Sequence, residues 1–268
     1  MSASKQDLRR WAGWLSLVIV FSIACAFLSN WQFSRRQEAL DAMNQLSQNY
    51  DSSPVALQAL ESPERFDQAN EWRQIELVGH YLPLESLLVR NRPLNGQPGF
   101  LEIVPFQLAD KQIVLVERGW IAATSEYSAP KTYPLPSDDE QRVVGHLRAT
   151  EPSLGRTAPP GQLATINVEE FLTKSKIKDR VFNRLYVRAT SESVPVTDNP
   201  TQLTKPQLDE GNHLSYALQW ILFALMAATA LFWGIKKERE AASGKVRVKK
   251  RKEIGQNDAE IEDSLLGN

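Results

Sequence analysis

Two long uncharged stretches stand out in the pattern of hydrophobic and polar positions along the chain. The first has 24 residues, 11–34, and the second has 22 residues, 214–235. A helix rises about 1.5 Å per residue, so about 20 residues cross the hydrocarbon layer of a membrane. We therefore predict transmembrane helices at residues 11–33 and 214–235. The alternative for the first stretch is a cleaved signal peptide, but no Ala-x-Ala cleavage site closes it.

The chain between the two stretches has a different pattern. Residues 34–71 are mixed and polar, and Leu40, Met43 and Leu46 at spacings of three indicate a helical stalk followed by a loose connector. Short runs rich in Val, Ile and Leu, bounded by Gly, Pro and Asn, then predict strands within residues 72–205. These strands are residues 73–81, 86–92, 100–107, 112–120, 142–149 and 185–190.

One short helix is predicted among these strands, at Val168–Lys174, with Asn167 as its N-cap. Residues 206–213 form a linker to the second span. The fold class is therefore an α+β membrane protein, in which two transmembrane helices flank a mainly antiparallel β extracytoplasmic domain with a minor helix.

Basic residues at the outer flanks of the two spans predict the orientation. Lys and Arg collect on the cytoplasmic side of membrane proteins, and here they precede the first span and follow the second, as Lys5, Arg9, Arg10, Lys236, Lys237 and Arg239. Arg35 and Arg36 argue for the opposite orientation, but the C-terminal group is denser. We expect a multi-pass protein of the cell membrane, with residues 1–10 and 236–268 in the cytoplasm.

Charge and cysteine content exclude several classes of function. Residues 36–212 carry 18 Lys and Arg against 24 Asp and Glu, so this segment is a poor candidate for binding nucleic acid. Cys25 is the only cysteine, which excludes an intrachain disulfide, and we interpret it as a small buried hydrophobe. The basic residues 245–252 suit contact with anionic membrane lipid, and residues 257–263 are acidic.

The chain has no sequence motif of a known catalytic site. Of its three histidines, His80 and His146 lie in predicted strands, where a structural role is expected. His213 lies at the mouth of the second span, and helical spacing puts Tyr216, Ala217 and Trp220 on the same stripe. Imidazole is a common axial ligand of haem iron, and an apolar helix face suits the macrocycle. The alternative is an interfacial histidine within the usual belt of Tyr and Trp.

Several short motifs resemble the Surfeit locus protein 1 family of cytochrome c oxidase biogenesis factors. The segment NHLSYALQW, residues 212–220, is similar to the family's signature at the second span. Trp31, Gln32 and Arg35 match its Trp-Gln-x-x-Arg exit from the first span. The outer-domain motifs VGHY, VRNRP, PGF and VERGWI begin at residues 78, 89, 98 and 116. The chain differs from the family pattern at Gly211, at residues 29–30, and in lacking a later Trp-containing motif in residues 124–184.

The resemblance implies an assembly factor, not an enzyme. It implies a protein that binds haem a as cargo, assists its insertion into the catalytic subunit of a haem-copper oxidase, and has the oxidase subunits or their assembly intermediates as partners. By the same likeness His213 is the haem ligand, next to Tyr216 and Trp220. Arginine binds carboxylates bidentately, so Arg118, with Arg90 and Arg92, is a candidate partner of the haem propionates. Local salt bridges are the alternative for these arginines.

Two other functions remain open at this point. The chain could be a non-haem interaction module that stabilises a respiratory membrane complex. It could also be an envelope enzyme with a scattered catalytic site, which would need a pocket with acid or base residues of perturbed pKa.

Overall fold

A computed structural model describes residues 5–125, 128–178, 180–194 and 196–243. The described residues form two compact units. One unit is helical and comprises the chain up to Arg36 and again from Gly211; the other, Gln37–Glu210, contains a sheet. The basic residues 245–252 and the acidic residues 257–263 lie outside the described part of the chain.

Two long helices dominate the helical unit. Helix α1 is Lys5–Tyr50 and helix α4 is His213–Ala242. Both are long and apolar enough to cross a membrane, and their large apolar side chains are mostly exposed, for example Phe27 at 73% and Phe232 at 64%. Such a surface is unfavourable in water, so an apolar environment is the expected surrounding of these helices. The predicted stalk helix is a continuation of α1, with no break near residue 34.

The described part of the sheet unit contains eight strands and two short α-helices. The strands are β1 (Val55–Ala56), β2 (Gln74–Tyr81), β3 (Leu87–Val89), β4 (Gly99–Leu108), β5 (Ile113–Ala122), β6 (Gln141–Ala149), β7 (Gln162–Leu163) and β8 (Leu185–Glu192). Helix α2 is Leu57–Leu60 and helix α3 is Val168–Lys174. All six predicted strands are present, and α3 has the predicted bounds because Asn167 Oδ1 accepts a hydrogen bond from Glu170 N at 2.8 Å.

Five strands close into a small barrel. The sheet order is β1-β2-β6-β8-β5-β4-β3-β7, and β2 also pairs with β4 through residues 79–81 and 106–108. This extra pairing joins β2, β6, β8, β5 and β4 in a ring. Most pairings are antiparallel, as predicted, but β5 with β8, β1 with β2 and β3 with β7 are parallel.

Two apolar clusters stabilise the sheet unit. One contains Ile75, Phe106 and Val187, and the other packs Phe171 of α3 near Leu101. The connector before β2 is not loose as predicted, because Leu57 is fully buried in the first cluster and β1 pairs with β2. The connector is therefore attached to the sheet unit through Leu57 and β1.

Trp120 belongs to the second of these clusters and is 9% exposed. Gly99 lies under its indole, where an added Cβ would be 2.3 Å from the ring. Gly119 lies against Thr201, whose carbonyl oxygen would be 2.7 Å from an added Cβ. The register of β4 and β5 shifts between Glu102 and Ile103, opposite Gly119, which marks a β-bulge at this point.

Candidate functional site

Helices α1 and α4 pack antiparallel within the helical unit. Arg10 near the start of α1 pairs with Glu238 near the end of α4, whereas Ser29 Oγ donates a hydrogen bond to Ala217 O at 3.0 Å near the other ends. Cys25 is buried, as predicted, and Ser29 and Ala217 are buried too. Small residues at these positions let two helix backbones approach closely. This packing sets the environment of His213.

His213 is the first residue of α4 and has a specific partner on α1. Its Nδ1 lies 2.8 Å from Gln32 Oε1. An amide oxygen only accepts hydrogen bonds, so Nδ1 carries the proton and Nε2 carries the lone pair. A hydrogen bond on one imidazole nitrogen fixes the ring orientation and makes the other nitrogen a better ligand. Nε2 is therefore the ring nitrogen that could act as a ligand.

The backbone of Gly211 lies next to the ring of His213. Gly211 has a positive φ of 64°, and an added Cβ there would lie 3.4 Å from Nε2 and 3.3 Å from Cδ2 of His213. A side chain at residue 211 would therefore contact this edge of the imidazole, and glycine also adopts the positive φ without strain.

Helix α4 contains all four residues of the predicted stripe, but they differ in their exposure. Ala217 faces α1 with His213, whereas Tyr216 is 50% exposed. Trp220 is half-buried and contacts Phe223 edge to face, with ring centroids 5.7 Å apart. Tyr216 and Trp220 therefore offer aromatic surface near the His213 end of α4, as an apolar macrocycle needs.

The donor set fits a haem better than a bare metal ion. Among the residues that the structure describes, no group of three or more His, Cys, Asp or Glu could hold a metal ion. A single histidine binds iron firmly only when a macrocycle supplies the other ligands. One oriented imidazole with aromatic surface nearby is compatible with that case.

Arg118 lies in a buried ion cluster of the sheet unit, away from solvent. Its Nε and Nη2 each donate to a carboxylate oxygen of Glu192 at 2.8 Å, and its Nη1 donates to Glu102 Oε2 at 2.8 Å. Nη2 also donates to Asn199 Oδ1 at 3.0 Å, and Tyr81 Oη donates to Glu192 at 2.7 Å. Arg118 thus makes the local salt bridges that were the alternative to pairing with a propionate.

The pKa values in this cluster follow from burial and charge. Burial raises the pKa of Glu102 to about 7, against the opposing effect of Arg118. Burial disfavours the charge on Arg118, but the hydrogen bonds with Glu192 and the charge of Glu102 outweigh it and raise the arginine pKa. The cluster holds two carboxyls and one guanidinium, so Glu102 is the group that takes up a proton near neutral pH.

The remaining predicted residues have separate roles. Arg92 pairs with Glu151, and Arg90 borders a cavity with them. His80 is half-buried in β2. His146 is 1% exposed, and its Nε2 lies 3.0 Å from Tyr50 O.

Sequence reasoning did not identify Gln32 as the partner of His213. Gln32 is part of the Trp-Gln-x-x-Arg motif at the exit of the first span, which was the available signal. Its role depends on the register of two antiparallel helices, which the sequence of either helix does not encode.

Comparison with known proteins assigns the chain to a family. The model of the SURF1 family matches residues 19–225, which include β1–β8, Gln32 and His213. The chain therefore belongs to the SURF1 family, as its motifs predicted.

Relatives with a similar sequence come from distant organisms. An uncharacterized SURF1-like protein of Mycobacterium tuberculosis is 28% identical over 91% of this chain and 88% of its own length. A SURF1-like protein of Drosophila melanogaster is 26% identical over 82% of this chain and 76% of its own. The cytochrome oxidase assembly protein SHY1 of Saccharomyces cerevisiae is 29% identical over 50% of this chain and 35% of its own.

Proposed function

We propose that this protein is an assembly factor for a haem-copper cytochrome c oxidase and that it holds haem a through His213. Membership of the SURF1 family and the likeness to a yeast cytochrome oxidase assembly protein support the assembly role. The observation that supports haem binding is the hydrogen bond from His213 Nδ1 to Gln32, which leaves the lone pair on Nε2.

Three features of the helical unit would hold the cofactor. A bound haem a would supply an iron that an imidazole nitrogen can ligate. His213 would hold this iron, and Gln32 would keep the imidazole ring in one tautomer and orientation. Tyr216 and Trp220 would offer aromatic surface to the apolar part of the cofactor.

The second candidate function is a non-haem module that stabilises a respiratory membrane complex. It is favoured by Arg118, whose donors are used inside the protein and do not offer a site for a propionate. The two functions differ at His213. A module that stabilises a complex through the sheet unit would tolerate the loss of this imidazole, whereas a haem-binding factor would not. In both cases we expect an assembly role without catalysis of its own.

Both functions place the protein in the cell membrane with its two termini in the cytoplasm. The two apolar helices and their basic flanks support this orientation. A reporter fused after Asn268 should be active only on the cytoplasmic side, and one inserted near Ser137 only on the outside. The reverse pattern would contradict the orientation.

Deletion of the gene tests the assembly role. The membranes of the deletion strain should lose the haem a band in a reduced-minus-oxidised spectrum, while bands of other cytochromes persist. Expression of the parent chain should restore the band. An unchanged haem a band in the deletion strain would contradict an assembly role.

A further inference from the structure

A cavity lined by three arginines lies in the sheet unit, separate from the buried Arg118 cluster. Its volume is about 490 Å³, and Arg90, Arg92 and Arg156 line it together with Glu151 and Thr165. Cavities of about 300–1,000 Å³ are typical of small-molecule sites. The size alone therefore permits a ligand larger than a single ion.

The charge in this cavity is unbalanced. Arg92 pairs with Glu151, the one acidic residue in the lining, so one positive charge is compensated. Within the described ranges, Arg90 and Arg156 make no ion pair. Two guanidinium charges thus remain without a carboxylate in a unit whose acidic residues outnumber its basic ones. The two uncompensated arginines are not part of a generally basic surface, because the sheet unit as a whole is acidic.

Backbone contacts fix the lining around Arg90 and Arg92. Arg90 N donates to Leu163 O at 3.1 Å, and Arg92 N donates to Gly99 O at 3.0 Å. Trp120 Nε1 donates to Arg92 O at 2.6 Å. Both arginines therefore extend from anchored backbone, although their side chains are only half-buried.

Glu151 is anchored in the same way. Its backbone N donates to Ile166 O at 2.9 Å, and its Oε2 accepts from Ile166 N at 2.9 Å. Burial opposes its charge, but the hydrogen bonds from Arg92 and Ile166 outweigh that effect and lower its pKa. Glu151 is thus ionised at neutral pH and holds Arg92, which leaves Arg90 and Arg156 for a ligand.

We propose that this cavity, lined by Arg90, Arg92 and Arg156, binds a small ligand that carries two negative charges on carboxylate or phosphate oxygens. Guanidinium groups bind both kinds of oxyanion bidentately. Two uncompensated arginines call for two negative charges, and Leu154 and Ala164 in the lining accommodate the apolar part of an organic ligand. The site does not depend on haem or on His213.

Isothermal titration of the full chain in a neutral detergent tests the proposal. Succinate and inorganic phosphate are the dianionic probes, and acetate is the monoanionic reference at equal ionic strength. At least one dianion should bind saturably with one site, and about tenfold or more tightly than acetate, because it engages both arginines. The tighter of the two dianions identifies the carboxylate or the phosphate as the preferred group.

Variants locate the binding. Arg90→Gln and Arg156→Gln should each weaken binding of the dianion about tenfold or more. Arg142→Gln is the matched control, since Arg142 is exposed, pairs with Glu76 and does not line the cavity; its affinity should equal that of the parent. Arg156 is exposed, so its replacement tests the site even if Arg90→Gln impairs folding. Absence of saturable binding, or unchanged affinity in Arg156→Gln, would overturn the proposal.

Discussion

Replacement of Arg118 by Met should destabilise the sheet unit strongly. The guanidinium makes two hydrogen bonds to Glu192 and one to Glu102, all at 2.8 Å, and is 3% exposed. Methionine would leave two carboxylates facing each other in the interior without a cation. Breaking a buried ion pair by removing one partner costs about 3–5 kcal/mol. We expect the free energy of unfolding to fall by this amount at pH 8, because protonation of the two carboxyls offsets the loss least at this pH.

Urea unfolding of the full chain in a neutral detergent, followed by pulse proteolysis, measures this loss. With a slope of about 2 kcal/mol per molar urea, a loss of about 4 kcal/mol lowers the midpoint by about 2 M. Arg142→Met is the control, because Arg142 is 63% exposed and its pair with Glu76 is worth less than about 1 kcal/mol.

The pH dependence of stability and a lysine variant also test the role of Arg118 in the buried cluster. The loss of stability in Arg118→Met should become smaller as the pH is lowered, because the carboxyls left without a cation can then become neutral. If Arg118→Met does not accumulate, Arg118→Lys should fold with an intermediate deficit, since it keeps the charge but not the bidentate contact. Equal midpoints for Arg118→Met and Arg142→Met would refute the role assigned to the buried cluster.

Three other predictions follow from single side chains. The pKa of Glu102 is raised from 4.5 to about 7, so the free energy of unfolding should fall as the pH rises through this window. The urea midpoint of the parent should therefore fall between about pH 5 and pH 8, and Glu102→Gln should make this fall smaller. Burial lowers the pKa of His146 below 6.5, so the stabilisation from its stack on Tyr50 should be present above about pH 6.5 and be lost as the pH falls. His146→Phe should not show this acid-induced loss of stability. Equal acid sensitivity of parent and variant would contradict the role of His146. Gln32→Leu should weaken haem binding by His213 about 10–100-fold in a spectroscopic titration, whereas Gln32→Glu, which keeps an acceptor oxygen, should largely preserve it.

The sequence predicted those parts of the fold that local pattern encodes. Six strands, helix α3 and its Asn167 cap follow from periodicity and capping chemistry. Strands β1 and β7 were missed because each has two residues and pairs in parallel with a strand distant in sequence. Closure of the barrel was missed for the same reason, since the pairing of β2 with β4 has no local signal.

In the candidate site, too, the sequence identified the residue with a local signal and missed the partners that lie far away in sequence. His213 was found through its position at a helix mouth and its motif, both of which are local. Its partner Gln32 is 181 residues away and required the packing of α1 on α4. Arg118 was predicted to be a candidate partner of the haem propionates, because its true partner Glu192 reaches it only through the pairing of β5 and β8 in the barrel.

The haem a content of the purified full chain shows directly whether His213 binds haem a. Parent, His213→Ala and His80→Ala proteins should be produced in cells that make haem a, purified in detergent, and compared by Soret absorbance per mole of protein. His213 is half-exposed at a helix start, so its loss should cost at most about 1 kcal/mol of stability and leave protein yield unchanged. The parent and His80→Ala should contain haem and His213→Ala should lack it, whereas equal haem in all three proteins would rule out His213 as the haem ligand.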